Sequence, residues 1–151
     1  MAKLTEQTER FEDMIEAMNK AVDFGAVLTI EERNLLSVAY KNTIGSRRTA
    51  WRALSSIEKK EEQKGSKNLP LLKGYKAKIE EELNKYCNEV LGLIDRKLIK
   101  EATDAESKVF FHKMKGDYYR YISEYTSGSA HDDAGNKAHE AYKSATQVAE
   151  D

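Results

Sequence analysis

Residues 72–98 have the sequence LKGYKAKIEEELNKYCNEVLGLIDRKL, in which an apolar side chain recurs every three or four residues. The members of this stripe are Leu72, Tyr75, Ile79, Leu83, Tyr86, Val90, Ile94 and Leu98. Such spacing places all of them on one face of an α-helix. We therefore predict a long amphipathic helix over residues 72–99, which needs other helices to cover its apolar face.

The sequence before this helix predicts three more helices. Residues 3–10 indicate a short one, and the apolar positions after Phe11 indicate a second that ends near Gly25. Thr29 followed by Glu32 is typical of a capping box, so a third helix is predicted over residues 29–62. Its apolar stripe is Leu36, Tyr40, Ile44, Trp51, Leu54 and Ile57.

The segments on either side of residues 72–99 supply the remaining boundaries. Residues 61–68 are polar and predict a loop, after which Asn68 and Pro70 predict a cap and a first-turn proline. Thr103 and Glu106 predict a second capping box and a helix over residues 103–126.

Residues 127–135 hold two glycines and two aspartates and predict a break before a sixth helix of small residues. The fold class is therefore all-α. Short loops imply that sequential helices pack antiparallel, in an array of about six helices of which two are long. Residues 1–151 are predicted to form a single helical domain.

Charge and cysteine content restrict the function classes. The chain has 25 lysines and arginines against 26 acids, and its net charge of −1 gives no overall attraction for nucleic acid or an anionic membrane. The lone cysteine, Cys87, cannot form an internal disulfide and is expected to be a buried, inert thiol. Residues 1–6 lack the apolar core of a secretory signal, and no long uncharged apolar run follows. These features predict a cytoplasmic protein.

Basic residues share one face of the third helix. Lys41, Gly45, Arg48 and Arg52 follow each other at helical intervals, and residues 37–56 contain no acid. In the helix predicted over residues 103–126, Lys113 and Arg120 repeat a spacing of seven residues, and Tyr121 adds a hydroxyl. If the two helices are neighbours, these groups converge on one patch suited to a phosphate, since arginine binds phosphate through two parallel hydrogen bonds.

Spacing alone also allows a plainer interpretation of these cations. Asp117 follows Lys113 by four residues, and Glu124 follows Arg120 by four, so each cation could be an ion-paired surface group within its own helix. By spacing alone that interpretation is favoured. Residues 118–125 contain four tyrosines, which are more typical of a core edge than of base stacking.

Motifs of catalysis and metal binding are absent from the sequence. None of His112, His131 and His139 comes three residues after a glutamate, which excludes the Glu-x-x-His signature of di-iron bundles. The glycine-rich nucleotide motifs and CxxC are also missing. His131 with Asp132 and Asp133 could bind a metal, but in this segment a solvated turn is expected. We predict no enzyme activity, no catalytic residue, no metal and no cofactor.

Three segments resemble the signatures of the 14-3-3 protein family. They are residues 33–42 (RNLLSVAYKN), residues 47–58 (RRTAWRALSSIE) and residues 107–121 (SKVFFHKMKGDYYRY). Arg10, Asp13, Asn88 and the 72–99 helix also look like their family counterparts. The resemblance extends over essentially the whole chain, although the three final helices of the family have no counterpart after Asp151, so that the sequence is similar to a C-terminally truncated member.

The resemblance implies a function and a set of residues for it. Family members bind phosphorylated serine or threonine segments of client proteins and so act as adaptors in signalling. By this resemblance Lys41, Arg48, Arg120 and Tyr121 form a phosphate clamp with Lys113 beside it, on the helices of residues 29–62 and 103–126. The alternative is a helical dimerisation scaffold whose peptide groove is incomplete.

The family is also dimeric, and the resemblance implies a seam built from residues 1–25 and 29–99. Arg10 is expected to face Glu82 across the seam, and Asp13 to face Lys78. A homodimer is expected, or a heterodimer with a related chain, with no nucleic-acid or membrane partner. The remaining seam positions are Leu4, Thr8, Ala50, Leu54, Ile57, Tyr75 and Ile79.

Overall fold

Five helices make up the structure, a computed structural model that describes residues 11–23, 29–65 and 67–150. They are α1 (Phe11–Asp23), α2 (Ile30–Lys64), α3 (Leu69–Leu93), α4 (Ala105–Tyr125) and α5 (Gly128–Glu150). α3 continues through a π-helical stretch, Ile94–Leu98, into a last α-helical turn, Ile99–Glu101. The described residues contain no strand, which confirms the all-α prediction. The predicted helix at residues 3–10 lies outside the described residues.

The termini of α2 follow from local chemistry. The Thr29 hydroxyl accepts a hydrogen bond from the Glu32 backbone N–H at 3.1 Å and donates to the Glu32 carboxylate at 3.0 Å, which confirms the capping box. α2 ends at Gly65, whose φ of 63° is a left-handed conformation that glycine adopts without a Cβ penalty. With 35 residues, α2 is a rod of about 50 Å.

Two predicted caps differ in the structure. α4 is capped by Asp104, whose carboxylate accepts from the Ser107 backbone N–H at 3.0 Å, and not by Thr103. An aspartate at this position also places a negative charge beside the positive end of the helix dipole, and its hydrogen bonds with Ser107 lower the pKa of Asp104. Asn68 precedes α3 as predicted, but its side chain makes no capping hydrogen bond.

The predicted break at residues 127–135 is wrong, because α5 already begins at Gly128. Gly128 has a φ of 61° and makes the tight turn from α4. Residues beyond it stay helical because Ala134 is buried, as are Ala138, Ala141 and Ala145 over the next three turns. Burial of this small-residue stripe outweighs the poor helix propensity of glycine and aspartate.

The core lies where α1, α2 and α3 meet, and α4 closes it. Its largest fully buried side chains include Met14, Tyr40, Leu36, Leu83 and Ile94. Cys87 is buried among them as expected, and burial raises the pKa of its thiol to about 12, so the thiol is inert at neutral pH. No helix in the described part of the chain is long and apolar enough to cross a membrane.

Tyr40 joins three helices through its buried hydroxyl. The hydroxyl oxygen lies 3.0 Å from Asn19 Oδ1 on α1 and 2.9 Å from Glu89 Oε1 on α3. Asn19 Nδ2 in turn donates to Glu89 Oε1 at 2.7 Å. Burial strongly raises the pKa of Tyr40, so its hydroxyl remains protonated and able to donate. The network therefore sets the rotation of α2 about its own axis.

We predict that Tyr40→Phe lowers the free energy of unfolding by about 1–3 kcal/mol, because Asn19 and Glu89 lose a buried donor. Urea denaturation followed by far-UV circular dichroism measures the change. Tyr119→Phe is the matched control, since no hydrogen bond of the Tyr119 hydroxyl is found within the described residues, and it should leave the midpoint unchanged. Equal midpoints for wild type and Tyr40→Phe would contradict the prediction.

Candidate functional site

α2 and α4 are neighbours and are joined at two places. Near the start of both helices, Arg33 Nη1 donates to Ser107 Oγ at 3.0 Å and Nη2 to Glu106 Oε1 at 3.2 Å. Further along both helices, Arg48 and Arg52 donate to Glu124. Because residue numbers rise together at the two contacts, the helices point in the same direction. This is what antiparallel packing of α2 on α3 and of α3 on α4 requires.

Two adjoining cavities lie along α2 between these links. The larger has a volume of about 940 Å³ and is lined in part by Lys41, Arg48 and Tyr121. The smaller, of about 230 Å³, is lined by Lys41, Lys113, Asp117 and Tyr121 among others. Lys41 and Tyr121 border both cavities, so the structure brings four of the five sequence-predicted clamp residues together. We call this paired cavity the α2–α4 groove.

Arg48 is held in place by two contacts. Its Nη2 donates to Glu124 Oε2 at 2.9 Å, and its guanidinium lies over the Tyr121 ring, 3.9 Å from the centroid. Arg52 binds the same carboxylate with two parallel hydrogen bonds, from Nε at 2.8 Å and from Nη2 at 2.7 Å. Burial by itself would raise the pKa of Glu124, but the hydrogen bonds from Arg52 and Arg48 outweigh it and lower that pKa.

The intrahelical ion pair expected between Arg120 and Glu124 is therefore wrong. Glu124 reaches across to α2, where Arg48 and Arg52 offer it a bidentate site. Helical spacing could not find this contact, because the partners belong to another helix. The position of Glu124 in the sequence predicts only a pair with Arg120. The tertiary structure shows that Glu124 instead orients Arg48.

Arg120 lies at the rim, outside the residues that line the two cavities. Its side chain is 62% exposed, and its guanidinium lies 5.5 Å from the centroid of the Tyr121 ring. Asp117 Oδ1 is 3.8 Å from Arg120 Nη2, so Asp117 pairs with Arg120 rather than with Lys113 as the sequence suggested. Arg48 and Arg120 thus flank one tyrosine ring from two helices.

The lysines of the groove differ from its arginines in their ion pairs within the described part of the chain. Among the described residues, no carboxylate forms an ion pair with Lys41 or Lys113. Two ammonium groups without an acidic partner among these residues lie beside the groove, whereas its two arginines each pair with a carboxylate, and Glu12 and Asp13 also line the larger cavity. Such a site can bind a phosphate-sized anion by ionic hydrogen bonds.

No metal site is found among the described residues. They contain no group of three or more histidine, cysteine, aspartate or glutamate side chains that could hold a metal ion. His131, Asp132 and Asp133 lie in the first two turns of α5, not in a loop. His131 Nδ1 lies 2.7 Å from the Ser123 carbonyl oxygen, and Asp133 pairs with Lys137 at 3.1 Å.

A third cavity, which is apolar and has a volume of about 840 Å³, lies between the end of α2 and the start of α3. Leu54, Ile57, Tyr75 and Lys78 of the predicted seam line it. Ile57 is 44% exposed and Tyr75 is 56% exposed, although both are large apolar groups. This patch is therefore an exposed apolar surface where the two long helices meet.

The other predicted seam residues are distributed as follows. Leu4, Thr8 and Arg10 lie outside the described residues. Ala50 is half-buried and Ile79 is buried, while Glu82 accepts a hydrogen bond from Arg47 Nε of its own chain at 3.1 Å. Asp13 borders the larger part of the α2–α4 groove.

The chain is similar in sequence to known proteins of one family. The family description "14-3-3 protein" matches residues 1–151. The 14-3-3-like protein GF14 epsilon of Arabidopsis thaliana is 54% identical over 151 residues, which cover 99% of this chain and 59% of that protein. Protein BMH2 of Saccharomyces cerevisiae is 52% identical over 151 residues, covering 99% of this chain and 55% of that protein.

A further relative carries a functional name. The checkpoint signal transducer rad25 of Schizosaccharomyces pombe is 52% identical over 150 residues, covering 99% of this chain and 56% of that protein. The chain thus spans somewhat more than half the length of these relatives. With a family match over every residue and identities above one half, the chain belongs to the 14-3-3 protein family.

Proposed function

We propose that this chain is a non-enzymatic adaptor that binds phosphorylated serine or threonine segments of client proteins in the α2–α4 groove. The observation that carries the proposal is that two lysines, Lys41 and Lys113, have no acidic partner among the described residues and lie beside the oriented guanidinium of Arg48. A phosphoserine brings about −1.5 to −2 charges and strong acceptor oxygens. The groove offers donors of the matching charge on two helices that are linked at two places.

Each clamp residue has a distinct part in this proposal. Arg48 is pre-oriented by Glu124 and the Tyr121 ring, so little side-chain entropy remains to be lost when the phosphate binds. Arg120 is more exposed and is expected to close on the phosphate from the rim. The Tyr121 hydroxyl adds a neutral donor, and Lys41 and Lys113 add charge. The clamp helices are residues 29–62 and 103–126, as the sequence predicts.

A dimer is the second part of the proposal, made through residues 1–25 and 29–99. The supporting observation is the apolar cavity lined by Leu54, Ile57 and Tyr75, which leaves large apolar side chains exposed in a single chain. A second copy, or a related chain, would cover it. We further propose a cytoplasmic location, in keeping with a buried, unpaired Cys87.

The competing function is a dimerisation scaffold that does not bind phosphopeptides. It is favoured by the same apolar cavity and needs no cations in the groove. The two functions differ in one measurable property, since only the adaptor should distinguish a phosphoserine peptide from its unphosphorylated twin. Titration of both peptides by fluorescence anisotropy therefore separates them.

We predict that Lys41→Glu weakens phosphopeptide binding at least about thirtyfold, the factor that corresponds to a loss of about 2 kcal/mol. A reversed charge replaces attraction for the phosphate with repulsion, and Lys41 is exposed, so the fold should not change. Fluorescence anisotropy measures binding, and far-UV circular dichroism checks the fold. Lys60→Glu, an equal charge reversal at an exposed position of the same helix, is the control. Undiminished binding by folded Lys41→Glu would place the phosphate elsewhere.

We predict that Ile57→Glu converts a dimer into a monomer at tens of micromolar, roughly the concentration at which typical interfaces are occupied. A carboxylate at position 57 would have to be desolvated among the apolar side chains of the cavity when the dimer forms. Sedimentation velocity measures the mass. Gln63→Glu adds the same charge on the opposite side of α2 and should remain dimeric. A monomeric wild type would refute the proposed dimer.

A further inference from the structure

We propose that Tyr142 of α5 is a positioning residue for the α2–α4 groove: its hydroxyl holds the Asp117 carboxylate away from Lys113 and Lys41. This inference rests on the proposed function and assigns a role in it to a helix that lines neither cavity. Asp117 is the one acid among the residues that line the smaller cavity. An unrestrained carboxylate there would compete with the phosphate for the lysines.

Gly116 of α4 lets the Tyr142 ring approach the helix closely. A Cβ added to Gly116 would lie 2.7 Å from Cε1 and 2.8 Å from Cζ of Tyr142, closer than such atoms can approach. The absence of a side chain at position 116 therefore lets the Tyr142 ring rest directly on the α4 backbone. In this position the ring directs its hydroxyl to the next residue of α4, Asp117.

The Tyr142 hydroxyl donates a short hydrogen bond to Asp117 Oδ1. Burial and this hydrogen bond raise the pKa of Tyr142 to about 12, so the phenol is protonated at neutral pH and can donate. The same Oδ1 is 3.8 Å from Arg120 Nη2. Asp117 is therefore bound from two sides, by α5 and by the rim arginine.

Lys113 is a cation of the same helix that could pair with Asp117. The two residues are four apart on α4, the spacing at which a lysine and an acid of one helix ordinarily pair. Both line the smaller cavity, yet among the described residues they form no ion pair. The contact with Tyr142 accounts for this, because it turns the carboxylate toward α5 and Arg120. Lys113 and Lys41 then keep their charge for the ligand.

A double-mutant cycle in the 151-residue chain tests the inference. We expect Tyr142→Phe to weaken binding of a phosphoserine peptide about two- to fivefold, the upper part of the range for an ion pair near the surface. In the Asp117→Asn background the same change should alter binding less than about twofold, because no carboxylate remains to be released. The control is Tyr125→Phe, which removes another short tyrosine hydrogen bond, to Asn84 on α3, and should match the wild type.

A second readout does not depend on the peptide. The side-chain ammonium signal of Lys113, observed by ¹H–¹⁵N NMR in the free protein, should shift in Tyr142→Phe and return in Tyr142→Phe/Asp117→Asn. An equal loss of binding in both backgrounds would assign Tyr142 to helix packing and overturn the inference. An unmoved Lys113 signal in Tyr142→Phe would overturn it as well. If the wild type binds no phosphopeptide, the proposed function fails, and the Lys113 signal alone decides the positioning role.

Discussion

The parallel alignment of α2 and α4 is the constraint on which the rest of the molecule depends. α3 lies between them in the chain, and short connections oblige it to run against both. Arg33 near the start of α2 and the contacts of Arg48 and Arg52 with Glu124 near its middle then set the separation of the two helices. Both links are ionic, and the groove lies between them.

The buried contact of Tyr40 determines which way the cations of α2 face. With its hydroxyl bound to α1 and α3, Tyr40 points into the core, and Lys41, one residue further round the helix, points out of it. Arg48, two turns later, faces the same groove and meets Tyr121 and Glu124. The rotation of α2 about its axis thus determines both how the core packs and which way the cations of the site face. A substitution that loosens the core around Tyr40 should therefore also turn these cations away from the groove.

Acidic residues have opposite effects in different parts of this groove. Glu124 neutralises Arg48 in part, but it also holds that guanidinium in one orientation, with Arg52 as a second anchor. Asp117 lines the smaller cavity, where a carboxylate facing the lysines would compete with an incoming anion. Its hydrogen bond to Tyr142 reduces that competition in our proposal. The groove therefore depends on where its carboxylates point as much as on the number of its cations.

The sequence by itself determined the helices, their apolar faces and the residues that carry positive charge on α2 and α4. These properties are local, because a stripe every three or four residues and a capping box such as Thr29 with Glu32 act within a turn or two. The family resemblance also pointed to Lys41, Arg48, Lys113, Arg120 and Tyr121, four of which line one groove. Their role in binding remains a proposal.

Only the tertiary structure decided which charges pair and where α5 begins. Glu124 and Asp117 each have a cation four residues away in sequence, yet they bind Arg52 and Tyr142 of other helices, because those helices offer better-placed donors. Residues 128–135 have poor helix propensity, but burial of Ala134 on α4 keeps them helical. Local sequence patterns determine which helices form. The contacts between helices depend on the packing of residues that are far apart in the sequence.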